Sequence, residues 1–266
     1  MYDSSKVATP TPNPQPPTPS YPSCATAGDP SWRVAIVMHD PIAAAWVSEI
    51  ARAYIPMARC CCHRTANAAM QELREVPARL AIVALNLPDI DGIDLIEMIA
   101  TERLVWRVLV ILDRTDEHTL TRLRHAQIDG IFSSQLEPLA RLEEAIVVLA
   151  SGGRVVCHAT PPMTSKESRP RLDQLMTPHE LLVLAVIGDG CDDSAAAARL
   201  GVAVETVHWH RQRIMRKLGV QSRGDLVRAA LCRGVVRIEQ GVVLRPGFDR
   251  LLAARTAPRP PKVQAI

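Results

Sequence analysis

The sequence predicts a chain of two folded parts: an α/β unit on a doubly wound parallel sheet, then a small all-α unit of four helices. Three observations predict it. Apolar runs of strand length alternate five times with helix-length segments between Trp32 and Ala150, the pattern of a parallel sheet covered on both faces. The alternation ends at a stretch holding Pro161, Pro162 and Pro170, and only helical patterns recur after it. The charge balance also changes sign there: 12 basic against 16 acidic residues from Ser31 to Gly152, then 10 against 7 from Arg171 to Arg237. An acidic unit followed by a basic one suits a regulator whose second half meets a polyanion.

Taken in order, residues 1–30 hold eight prolines among Ser and Thr. Such a segment cannot bury enough apolar surface to order itself, so it reads as a disordered tail. Val34-Ala35-Ile36-Val37-Met38 is the first buried strand, and Pro41 opens a helix to about Ala53. Met57 to Cys62 is the second strand candidate, with a helix from Thr65 to about Glu75. Leu80 to Leu85 is the third strand, the turn Asn86 to Gly92 ends it, and a helix runs from Ile93 to about Thr101. Arg107 to Leu112 and Gly130 to Ser133 are the fourth and fifth strands. Helices follow them from about Asp116 to Ala126 and from Glu137 to Ala150. Residues 31–152 form the α/β unit on this reading, and 153–171 a linker with a short strand at Arg154 to Cys157.

No apolar run is long enough to span a bilayer and no signal peptide precedes the first strand, so the chain is read as cytoplasmic, without a membrane partner. The seven cysteines are expected as free thiols. Cys60-Cys61-Cys62-His63 invites a metal or redox reading, but neighbouring strand residues point to opposite faces and do not easily share an ion. No metal site and no cofactor is expected.

Residues 32–152 resemble the receiver domain of two-component response regulators. The resemblance rests on Arg33-Val34-Ala35-Ile36-Val37, on the turn Leu85-Asn86-Leu87-Pro88-Asp89-Ile90-Asp91-Gly92, and on the ending Ala145 to Gly153. It implies a receiver-like, flavodoxin-like sheet. It also implies an acidic pair for Mg2+, an aspartyl phosphoacceptor, a Thr or Ser and a Lys at the strand ends. This chain holds Met38 and His39, Ala84, Leu112 and Ser134 in those places. Alanine has no nucleophilic oxygen, so no phosphoacceptor is expected and the unit reads as a degenerate, pseudo-receiver domain.

The second unit, 172–237, begins with a capping box at Thr177-Pro178-His179-Glu180 and an apolar run from Leu181 to Ile187. A short Ala-rich helix from Asp193 to Leu200, a turn at Gly201 and a basic helix from Val204 to Leu218 follow. A last helix runs from Ser222 to about Arg233. This order is that of a helix-turn-helix. In the basic helix, Val207, His210, Ile214 and Leu218 mark one stripe, and Arg211, Gln212, Arg213, Arg216 and Lys217 fall off it.

The unit resembles the DNA-binding domain of the NarL/LuxR family. The matching residues include Thr177-Pro178, Glu180, Arg199-Leu200, Thr206-Val207, His210, Ile214 and Arg216-Lys217-Leu218-Gly219-Val220. The resemblance implies that the third helix of this domain enters the major groove of double-stranded DNA and that the last serves a homodimer. Candidate DNA-binding residues are Thr206, His208, Trp209, His210, Gln212, Arg213, Arg216 and Lys217. Thr206, Arg213, Arg216 and Lys217 are the phosphate candidates, and a glutamine such as Gln212 suits adenine. His208 stands where the family has lysine, replacing a permanent cation with an imidazole. The expected function is therefore a non-enzymatic, sequence-specific transcriptional regulator controlled independently of aspartyl phosphorylation, in contact with RNA polymerase or another regulator. The alternative is a protein that titrates another regulator by heterodimerising without binding DNA. Residues 238–266, with Arg250, Arg255, Arg259 and Lys262, read as an irregular basic tail.

Overall fold

The computed structural model describes residues 32–155, 170–248 and 251–252. The N-terminal tail, Cys157 with most of the expected linker, and the tail cations Arg250, Arg255, Arg259 and Lys262 lie outside them. Five strands form one parallel sheet: β1 (Arg33–Val37), β2 (Arg59–His63), β3 (Ala78–Ala84), β4 (Val105–Leu112) and β5 (Gly130–Ser133). Their order is β2-β1-β3-β4-β5.

Period-two alternation sends each strand's side chains into two cores. Ala35, Val37, Ala81, Val83, Val108 and Val110 meet α2 (Ala66–Glu75), α3 (Gly92–Glu102) and α4 (Glu117–Leu123). Val34, Ile36, Leu80, Ile82, Leu109 and Ile111 meet α1 (Pro41–Tyr54) and α5 (Leu139–Ala150) on the opposite face. The first four helices start on side-chain caps at Asp40, Thr65, Asp91 and Asp116, each accepting from backbone N–H groups that the helix cannot satisfy.

The helical half holds α6 (Leu172–Leu175), α7 (Pro178–Ile187), α8 (Asp193–Leu200), α9 (Val204–Leu218) and α10 (Arg223–Cys232). The expected capping box is present: Thr177 accepts from the Glu180 N–H, and the Glu180 carboxylate accepts from the Thr177 N–H. Ala196 and Ala197 face the core from α8, and these small side chains let α9 approach closely. Gly201 and Gly219 end α8 and α9 at φ of 64° and 68°, where a Cβ would be strained.

Several elements differ from expectation. Strand β2 starts at Arg59 rather than Met57, because Met57 sits at φ 67° in the turn that ends α1. Helix α6 is a single extra turn of four residues. Beyond Arg237 the chain is not irregular at first: β6 (Arg237–Glu239) and β7 (Val242–Leu244) form an antiparallel hairpin. Its two-residue turn, Gln240-Gly241, has positive φ at both places (50° and 80°), as a tight hairpin turn requires. Of the expected strand at Arg154, the described residues show a single bridge between Val155 and Gly130. No helix among the described residues is long and apolar enough to cross a membrane.

Candidate nucleic-acid interface

The buried stripe of α9 is rotated from the expected one. Val207, Arg211 and Ile214 are buried, while His210 and Leu218 are half-buried. Arg211 is 2% exposed. A guanidinium is tolerated there only because it is fully engaged. Its Nε donates to Asp193 at 2.6 Å and its Nη2 to the Cys191 carbonyl at 3.0 Å. Burial alone would raise the Asp193 pKa, but bonds from His208 and Arg211 and the charges of Arg211 and Arg223 bring it below the usual carboxylate value. The pair ties the start of α8 to the middle of α9 and so sets how the two helices cross.

Opposite this stripe lies an open face. Thr206, His208, Trp209, Gln212, Arg213 and Arg216 are exposed, and His210 and Lys217 are half-buried. Their engagement differs. The Arg213 guanidinium lies over the Trp209 ring at 5.1 Å from its centroid, a cation–π contact. His210 meets His179 and Trp209 edge-on, at 4.8 and 4.9 Å between ring centroids. The His208 Nδ1 lies 3.2 Å from Asp193. Lys217 Nζ donates to Glu180 at 2.6 Å, and Arg213 Nε lies 3.0 Å from the other oxygen of the same carboxylate. Among the described residues nothing bonds the side chains of Gln212 or Arg216.

Glu180 and Asp193 organise this face without being on it. Burial alone would raise the Glu180 pKa, but the bonds from Lys217 and Thr177 hold it below the usual value. Sequence reasoning found Glu180 as a capping residue and a family match, not as an organiser of this face. Asp193 was missed, since its partners His208 and Arg211 lie 15 and 18 residues away and leave no local pattern.

The carboxyl end of the sheet was the other candidate place for chemistry. Ala84 is the last residue of β3, paired with Ile111, and Leu112 pairs with Ser133. Met38 is buried in the core beside α1. The His39 Nε2 lies 2.6 Å from the Gln240 amide nitrogen. Ser134 donates to the Leu112 carbonyl at 3.3 Å. The carboxylates that follow β1 and β3 are committed elsewhere. Asp40 caps α1, and Asp89 accepts the Ala66 and Asn67 N–H groups at the start of α2, both at 2.9 Å. Asp91 caps α3 and is held by arginines. These residues do not fit the paired hard oxygens that Mg2+ prefers.

Consecutive cysteines of β2 do diverge. Cys60 and Cys62 donate toward carbonyls of α1, and Cys61 accepts from Arg33 on the other side. Among the described residues no group of three His, Cys, Asp or Glu is placed to hold a metal ion.

Comparison with known proteins follows the same division. Residues 174–230 match the family described as bacterial regulatory proteins, luxR family. The transcriptional regulatory protein UhpA of Escherichia coli is 30% identical over 162 residues, 59% of this chain and 78% of that protein. The nitrate/nitrite response regulator protein NarL of Escherichia coli is 26% identical over 152 residues, 54% of this chain and 69% of that protein. A solved structure of the RcsB response regulator of Salmonella typhimurium superposes with a TM-score of 0.51 at 21% identity, covering 74% of this chain and 96% of that one. At that identity the likeness concerns the fold.

Proposed function

The chain belongs to the LuxR-type family of response regulators, DNA-binding regulators of transcription, and on that premise we propose that it acts on promoters without aspartyl phosphorylation. The observation that carries this reading is Ala84, a methyl group at the end of β3 where an attacking carboxylate is needed. Met38, His39 and Ser134 support it, since none supplies the oxygen pair or the cation that phosphoryl transfer would use there.

DNA contact is assigned to the open face of α9. Gln212 has a free side-chain amide whose oxygen and NH2 can together read an adenine edge, and Arg216 is free for phosphate. Arg213 reaches the backbone from its perch on Trp209. Thr206 and His208, near the start of the helix, complete the face, with His210 behind Trp209. Lys217 contributes to the field more than to contact, because Glu180 holds it. Two copies reading a two-fold site through α10, and a contact with RNA polymerase, belong to the same proposal.

Footprinting of the full chain on the promoters of its own gene and neighbouring genes tests the reading. We expect a protected site with no phosphodonor present. Absence of binding to every genomic fragment, together with capture of another LuxR-type regulator, would instead favour titration by heterodimerisation. The observation behind that second reading is the start of the helix, which lacks a permanent cation and where His208 leans on Asp193.

A further inference from the structure

Doubly wound sheets bind their ligands at the carboxyl ends of the strands. In this chain that end is covered by the chain's own β6–β7 hairpin. Arg237, the first residue of β6, is 8% exposed. Its Nη1 donates to Asp91 at 3.0 Å, and its Nη2 to the Asn86 side-chain oxygen. Both acceptors lie in the turn between β3 and α3. Asp91 is 2% exposed and also accepts from Arg114 and Arg122. It caps α3 as well, so the carboxylate has a fixed position when Arg237 arrives.

The surrounding seam is closed by backbone contacts that tolerate little displacement. The Gly247 N–H donates to Asp94, at 3.1 Å from each carboxylate oxygen. The His118 N–H donates to the Arg233 carbonyl at 3.1 Å, and the His118 ring bonds the Pro246 carbonyl at 3.0 Å. Gly234, at φ 75°, comes so near that a Cβ would lie 1.8 Å from an Asp116 oxygen. None of these contacts uses α9, whose outward face stays exposed with both halves in place.

We propose that the phosphate end of the receiver-like sheet is an intramolecular docking surface, that its occupant is Arg237 with its hairpin, and that the docked form is the one that binds DNA. An internal guanidinium on Asp91 thus replaces an external phosphate as the tie between the halves. The two halves then meet DNA as one body, with α9 turned outward. The DNA clause rests on the assignment of α9 above; the docking clause does not.

Hydrogen exchange read by mass spectrometry on the full chain separates the two. The probe is a duplex of about 30 base pairs of arbitrary sequence at low salt, where binding through phosphates is strong. In the free protein we expect peptides over 114–123 and 233–248 to exchange about tenfold or more slowly than in Arg237→Gln, as loss of a charge-assisted pair in a closed seam implies. Arg237→Lys, which keeps the charge but cannot bridge Asp91 and Asn86 together, should fall between them. Peptides over β1 and β3 report whether either variant still folds. Saturating duplex should leave the seam's protection unchanged in the wild-type chain. Equal exchange in wild type and both variants overturns the docking, and loss of seam protection on adding DNA overturns the competence of the docked form. A chain that binds no duplex overturns the DNA assignment, while the free-protein comparison still decides the docking.

Discussion

Arg216 and Lys217 are neighbours in sequence and carry the same charge, yet the structure gives them different work. Arg216 is exposed and unbonded among the described residues. The Lys217 side chain is 26% exposed and lies on a Glu180 side chain that is 4% exposed. Arg216→Gln should therefore remove a phosphate contact. Each such contact contributes about 0.9 to the slope of log affinity against log salt, so between 50 and 200 mM salt one contact amounts to about a 3.5-fold change in affinity. For two copies on a two-fold site the change is about twelvefold. Lys217→Gln should leave the slope nearly intact. It should instead weaken the helical half by about 1.5 kcal/mol, the lower end for a hydrogen bond between charged groups, because Arg213 and Thr177 still engage the carboxylate. Fluorescence anisotropy on a labelled duplex across a salt series gives the slopes, and hydrogen exchange in α7 and α9 gives the stability. Equal losses of slope in the two variants would refute the division between contact and scaffold.

Three further outcomes follow from the same geometry. Asp193→Ala leaves the buried Arg211 guanidinium without its counter-charge and should cost about 3 kcal/mol in urea unfolding of the helical half, more than Arg211→Met. Asp189 bonds Arg199, Arg245 and the Cys191 N–H; burial alone would raise its pKa, but these bonds lower it to about 2 from 3.8. A depressed folded-state value stabilises above the unfolded value and is lost as pH falls. The contribution, at most about 2 kcal/mol, should therefore be complete above about pH 4 and vanish toward pH 2, a segment of the acid-unfolding curve that Asp189→Asn removes. Ala84→Asp restores a carboxylate at the end of β3, but intact mass after incubation with acetyl phosphate and Mg2+ should show no added phosphate. The metal's oxygen pair is still missing at Met38 and His39; an added phosphate would show that another set of ligands serves.

Much of this molecule was legible because its signals are local. Continuous apolar runs at Val34–Met38 and Leu80–Leu85 announce strands covered on both faces, and Thr177 with Glu180 announces a helix start, all within a few residues of one another. The phase of α9 was not legible, because Arg211 reads as a surface cation until Asp193 is brought beside it by the fold. The hairpin escaped for a related reason. Its strands are three residues long, and Gln240-Gly241 lacks the asparagine or aspartate that usually marks such a turn. Arg237 looked like the last residue of a domain, whereas its partners Asn86 and Asp91 lie 151 and 146 residues earlier.

Gly234 makes the seam between the halves a matter of chain economy as well as of charge. A single hydrogen atom in place of a side chain lets the end of α10 rest on the Asp116 carboxylate. Arg237 then sits against Asp91 like an interior residue of the first half. Each half has its own core, and the proposed docking ties their edges together. Cut at the linker, the first would expose Asp91, Asp94 and Glu117 that now meet the second, and the second would carry Arg233 without Glu117 and Arg237 with Glu239 alone. On the proposed docking, recombination that joins either half to a different partner would have to carry the matching acidic or basic edge with it.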